Sequence, residues 1–174
     1  MPVETGTQAT YYQYRLIKKL TITTSFLWIY RLLPVVMLIL LLLVFDWSSI
    51  LFFSLAGLVM AWLQFVISHS VLFINGTSVR KRWKYNWNLP WTGYMPDQHV
   101  GYRIFQRIQV HISWIGLCFA LVFLFWSPLP FTLSLIFWHL WLASPKIYVL
   151  YRLQRVTKGG MIKFNTEDVS YYQP

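Results

Sequence analysis

Four histidines offer the most reactive side chains in this chain, and three of them, His69, His111 and His139, lie inside long apolar runs. An imidazole in that setting can hold a metal, relay a proton or hydrogen-bond to a neighbouring helix. Counted along a helix, His69 and His111 fall toward the same end of two successive runs, at depths differing by about 8 Å. Two facing imidazoles would hold a haem iron axially in a four-helix membrane protein. Haem on His69 and His111 is therefore the cofactor to weigh. Against it, His69 lies about 100° around its helix from Ser68, and His111 is nearly opposite Ser113, so both point away from the polar stripes described below. The expectation is no cofactor and no metal. His139 sits near the middle of its run, level with Gly57 and Gly116 on the same count, and is expected to fill the space that glycines leave.

Asp97, His99 and Arg103 form the other grouping, an acid, a base and a cation within one hydrophilic stretch. Enzymes acting on lipid headgroups combine such groups at a membrane surface, but this spacing makes no triad. The five carboxylates are Glu4, Asp46, Asp97, Glu167 and Asp168, and none falls inside an apolar run. That excludes an intramembrane carboxylate relay and the acid of a zinc protease. HExxH, GxSxG, P-loop and glycine-rich dinucleotide patterns are all missing from the sequence. Cys118 is the single cysteine and can form no internal disulfide.

The elements that would position these residues are membrane helices. Of 174 residues, 57% are hydrophobic and only 11% charged, against about 25% charged in a soluble domain. Four stretches reach the roughly 20 apolar residues needed to cross a bilayer: about 26–45, 49–74, 108–126 and 129–151. DWSS (Asp46–Ser49) and SPLP (Ser127–Pro130) are tight connections between successive spans. The expected fold is an all-α integral membrane protein of four spans in two antiparallel hairpins. Residues 1–25 form an N-terminal segment, 26–151 the membrane domain with a loop at 75–107, and 152–174 a tail. YYQYRLIKKL is expected to be a short interfacial helix, because its cations and its Leu16, Ile17 and Leu20 fall on different helical faces. KGGMIKFNTEDVSYYQP is expected to be a loosely ordered tail, given its Gly-Gly break and mixed charge.

All fifteen lysines and arginines precede the first span or, like Arg31, lie near its start, fall between the second and third, or sit at or beyond the end of the fourth; the two tight connections hold none. The positive-inside rule then places both termini and the 75–107 loop in the cytoplasm, as in a prokaryotic cell membrane. Arg80, Lys81, Arg82 and Lys84 are expected to meet anionic headgroups, each contributing on the order of 1 kcal/mol. Trp83, Trp87 and Trp91 are expected to settle at the interface. The net charge of +10 then reflects topology, and nucleic acid is not an expected partner.

Small and polar residues recur along one face of each inner span. They are Gly57, Ala61, Gln64 and Ser68 on the second, Gln109, Ser113, Gly116 and Ala120 on the third, and Thr132, His139, Ala143 and Lys146 on the fourth. Such stripes let helix backbones approach closely, and they are expected to face inward. With little mass outside the bilayer and no catalytic constellation, the expected function is non-catalytic. The chain reads as a small membrane subunit that scaffolds, assembles or regulates a larger complex such as a transport or secretion apparatus. Its expected partners are anionic lipid and proteins in the membrane or at its cytoplasmic face. A haem or metal redox protein, a lipid-acting enzyme, and a small carrier or pore are the alternatives.

Overall fold

The computed structural model describes residues 15–154, 159–166 and 168–173. Its longest elements are four helices: α1 (Thr24–Val44), α2 (Ser49–Ile74), α4 (Tyr102–Val122), extended by a 3-10 turn at Phe123–Phe125, and α5 (Leu129–Leu153). All four are long and apolar enough to cross a membrane, which marks a multi-pass membrane protein by length and composition. Helices satisfy every backbone group within the segment, the requirement that hydrocarbon imposes. α5 is the least apolar of the four and the most buried, while α1 is the most apolar and the least buried. Accordingly α2, α4 and α5 pack on one another and α1 lies at the side against α2 and α5. Trp47, Phe125 and Trp126 stand exposed at the two short connections. Aromatic rings at that level suit the bilayer–water boundary.

The chain is not all-α. The strands β1 (Arg15–Thr21), β4 (Val100–Gly101), β5 (Met161–Phe164) and β6 (Asp168–Gln173) form an antiparallel sheet in the order β1-β6-β5-β4. A short helix, α3 (Thr77–Arg80), leads to a separate hairpin of β2 (Trp83–Asn86) and β3 (Gly93–Pro96). β1 precedes the first long helix, β2 to β4 lie between α2 and α4, and β5 and β6 follow α5. Strand pairing therefore gathers the start of α1, the α2–α4 connection and the end of α5 at one end of the bundle. The Lys18 ammonium donates to the Arg152 carbonyl at the end of α5, 3.0 Å away, where a cation also complements the helix dipole.

Several expectations are corrected here. Arg15–Thr21, expected as part of an interfacial helix, is strand β1; residues 11–14 of that segment lie outside the described residues. Within RLIKKLT a helical reading separates cations from apolar residues, but the long-range pairing with β6 decides the conformation, with an irregularity between Leu16 and Lys18. The supposed loose tail supplies β5 and β6. There Val169 and Tyr171 point inward two residues apart and both are fully buried, the period of a strand with one face on a core. The third span begins at Tyr102 rather than 108, because Tyr102, Phe105, Ile108, Gln109 and Ile112 continue one buried helical face past the apolar run.

The Gly-Gly pair also has a packing role. A Cβ on Gly160 would overlap the Tyr171 ring and the Tyr172 carbonyl. The Gly160 N–H donates to the Tyr171 hydroxyl oxygen at 2.9 Å, and the Tyr102 N–H donates to the Gly160 carbonyl at 3.0 Å. Replacing Gly160 with valine is thus expected to destabilise the protein by about 1–3 kcal/mol through overpacking. Thermal unfolding in detergent checks this, with Gly159→Val as the control because nothing lies within 4 Å of a Cβ there.

Candidate functional site

The inner faces of α2, α4 and α5 carry the polar residues. Gln64, Ser68, Gln109, Thr132, His139 and Lys146 are all buried, as are Gly116, Ala120 and Ala143, while Gly57, Ala61 and Ser113 are partly buried. His139 fits against α4 where Gly116 has no side chain, and any Cβ at Gly116 would collide with the imidazole. Gly57 likewise receives the indole of Trp138, whose atoms come within 2.9 Å of where a Cβ would stand.

Aromatic side chains supply hydrogen bonds between the long helices. Trp138 Nε1 donates from α5 to the Phe53 carbonyl of α2 at 2.9 Å. Trp141 Nε1 donates to the Tyr30 carbonyl of α1 at 2.9 Å, and the Tyr30 hydroxyl returns a 2.9 Å bond to the Trp141 carbonyl. These two rings stack with centroids 4.4 Å apart. By contrast, the Ser68 and Ser113 hydroxyls donate to the carbonyls four residues back, Gln64 and Gln109, at 2.7 and 2.8 Å. They satisfy themselves within their own helices. Trp138, Trp141 and Tyr30 were not singled out from sequence, where an indole or phenol in an apolar run reads as bulk; only its N–H or O–H marks it as a donor.

Lys146 is the one lysine or arginine buried in this interior among the described residues. It is 1% exposed, and no hydrogen bond or salt bridge reaches its ammonium among the described residues. Its Nζ lies 3.2 Å from where a Cβ on Gly93 would stand. Gly93 has φ +108°, a conformation that favours glycine, so the β3 backbone closes over the lysine tip. Counted from the helix ends, Lys146 and Gln109 lie at the same level, about 10 Å inside. Both polar atoms of the Gln109 amide are buried without a hydrogen-bond partner among the described residues. This level is a cationic, under-bonded layer beneath the hairpin.

The histidines are held separately. His111 is exposed, with Nδ1 2.7 Å from the Arg107 carbonyl of its own helix. His69 is partly buried and packs on Phe65 and Tyr94, with ring centroids 5.7 and 6.3 Å away. Among the described residues no three His, Cys, Asp or Glu side chains come together as a metal site.

The basic-aromatic stretch is folded into the short helix α3 and the β2–β3 hairpin. Trp83 and Trp91 are buried, 4% and 1% exposed, against Phe105 and Phe164; only Trp87 presents its ring, at 78%. In the hairpin Trp83 lies on β2 and Trp91 precedes β3, so these rings and Trp87 do not share one surface. Arg80 lies over the Phe73 ring at 6.0 Å. Lys81, Arg82 and Lys84 are exposed, and Lys84 pairs with Asp97 at 2.7 Å.

Beside that pair, Arg82, Asp97, Gln98, His99, Met161 and Lys163 line an open cleft of 330 Å³. Arg82 donates to the His99 carbonyl at 3.4 Å. Burial, and then the Lys163 and Arg82 cations, hold the His99 imidazole below its ordinary pKa. The grouping expected from sequence was Asp97, His99 and Arg103. Asp97 and His99 do share this cleft, while Arg103 is not among its lining residues and Lys163 comes from the strand mistaken for a tail. No protein-family model, curated protein or solved structure matches the chain.

Removing a buried charge that has no partner is expected to stabilise. Lys146→Met, of similar volume, should raise stability by about 1–4 kcal/mol, seen as a higher thermal midpoint in detergent. A lower midpoint would mean that the ammonium is compensated in the folded protein.

Proposed function

We propose that the protein is a non-catalytic subunit of a larger membrane complex, a four-span anchor that presents a small folded sheet at the cytoplasmic surface to scaffold or regulate its partners. The observation that carries this reading is the sheet. Segments from before α1, between α2 and α4, and after α5 are drawn into one unit whose core is continuous with the helices, through Leu72, Phe105, Leu153, Ile162 and Tyr171. A loose set of tails and loops could only tether a partner, whereas a folded face fixes its position relative to the bilayer. Among the described residues, every lysine and arginine lies in the strand-bearing segments or within about two turns of this end of a long helix. The positive-inside rule assigns such an end to the cytoplasm, making each short connection a turn on the far side.

Two surfaces are open for assembly among the described residues. Along α1, residues such as Leu33, Val36, Leu40 and Leu43 are exposed, suiting lipid or a neighbouring helix. At the sheet edge, β1 exposes Leu16 and Ile17 beside Arg15 and Lys19. Edge strands offer unpaired backbone groups to a partner.

Photo-crosslinking groups at Leu16 and Leu40 in native membranes are expected to give discrete adducts with other membrane or membrane-associated proteins, which co-purify in fixed ratio. Recovery of the chain alone from both positions, with only lipid adducts, would contradict a subunit role.

A further inference from the structure

The cleft on the sheet has the chemistry of an anion site, and we propose that it binds a phosphoryl group. Its cations come from separate parts of the chain. Arg82 precedes β2, His99 lies between β3 and β4, and Lys163 is on β5. Folding alone brings them around one 330 Å³ space. Arg82 is held there by its bond to the His99 carbonyl. Among the described lining residues the one carboxylate, Asp97, is engaged by Lys84 at 2.7 Å, which offsets its charge. The field in the cleft is therefore set by Arg82 and Lys163.

A phosphoryl group answers this arrangement better than a carboxylate. It carries about −1.5 to −2 charge and three acceptor oxygens at neutral pH. A guanidinium can engage two of those oxygens through its fork, while an ammonium acts as a point charge on the third. The His99 imidazole adds a ring N–H donor; burial, and then the Lys163 and Arg82 cations, depress its proton affinity, and an anion entering between the cations offsets their part of that effect. A second pocket of 290 Å³ shares Asp97 as a wall and is lined by Tyr85, Asn86, Asn88 and Asn165. Amides and an aromatic ring there suit the polar organic remainder of a phosphoester. The source of the phosphoryl group is a soluble phosphoester or a lipid headgroup. This assignment stands apart from the subunit reading, because it requires neither a partner protein nor a side of the membrane.

The test uses the purified full-length protein in non-ionic detergent, titrated calorimetrically with inorganic pyrophosphate. In a second arm, the protein is placed in phosphatidylcholine nanodiscs with or without about one-fifth phosphatidate, and its thermal midpoint is read. Saturable pyrophosphate binding supports a soluble phosphoester; a midpoint shift with phosphatidate alone supports a headgroup. In whichever arm responds, Arg82→Gln and Lys163→Gln should each weaken binding about tenfold, and Asp97→Asn should tighten it. Lys81→Gln makes the same change in net charge but lies outside the cleft, and it should change affinity by less than about twofold. No saturable response in either arm would overturn the proposal. So would equal losses from Lys81→Gln and Arg82→Gln, which indicate diffuse attraction to a basic surface, or a failure of Asp97→Asn to tighten binding.

Discussion

The antiparallel pairing of β1 with β6 is the constraint on which the rest of the structure depends. It joins the first described segment of the chain to the last, across four long helices, with Arg15 opposite Gln173 and Thr21 opposite Asp168. An even number of spans returns the chain to the side from which it started, so the pairing and the helix count agree. Asp168 reinforces the junction: its carboxylate accepts from Asn165 and Ser170, each at 3.0 Å, and meets Lys19 at 3.6 Å. Addition of β4 to β5 brings in the α2–α4 connection. The cationic cleft, the cover over Lys146 and the continuous core all exist because these segments meet.

Within the bundle, two kinds of polar group divide the work. Indole and phenol donors spend one hydrogen bond each on a carbonyl of a neighbouring helix, and such bonds hold membrane helices with about 0.6–2 kcal/mol apiece. Trp141 and Tyr30 supply the reciprocal pair that fastens the outlying α1, a helix with little other buried surface. The carboxamide of Gln109 and the ammonium of Lys146 do not contribute in this way. They sit under-bonded at one level beneath the hairpin, where stability alone favours apolar residues. Polar groups that cost stability inside a membrane protein usually mark function, and this layer lies beneath the β2–β3 hairpin.

The four spans were legible because length and hydropathy are properties of a short window. The inward stripe of α5 was also readable from the spacing of Thr132, His139, Ala143 and Lys146. The sheet was not. β1 is only seven residues with one of them, Leu20, buried, and its stability comes from β6, some 150 residues away. The alternation of Val169 and Tyr171 and the aromatic residues around them carried a strand signal. The Gly-Gly pair before them was read as a break rather than as space for Tyr171. The tryptophans were expected at the membrane interface, but around Pro90 the chain turns back as a hairpin, and Trp83 and Trp91 become core while Trp87 stays exposed. The cleft needed tertiary proximity: Lys163 is about 80 residues from Arg82, and no local pattern connects them.

The most direct test of this account is whether β1 and β6 pair. With Cys118 replaced by serine, cysteines at Leu16 and Tyr172, which are opposite one another in the β1–β6 register, should form a disulfide within one chain under mild oxidation in native membranes, since facing strand residues lie about 4.5–5.5 Å apart. A one-residue shift, Leu16 with Tyr171, should crosslink poorly because the side chains point to opposite faces. Absence of the Leu16–Tyr172 crosslink, or equal yields in both registers, would contradict the closed sheet.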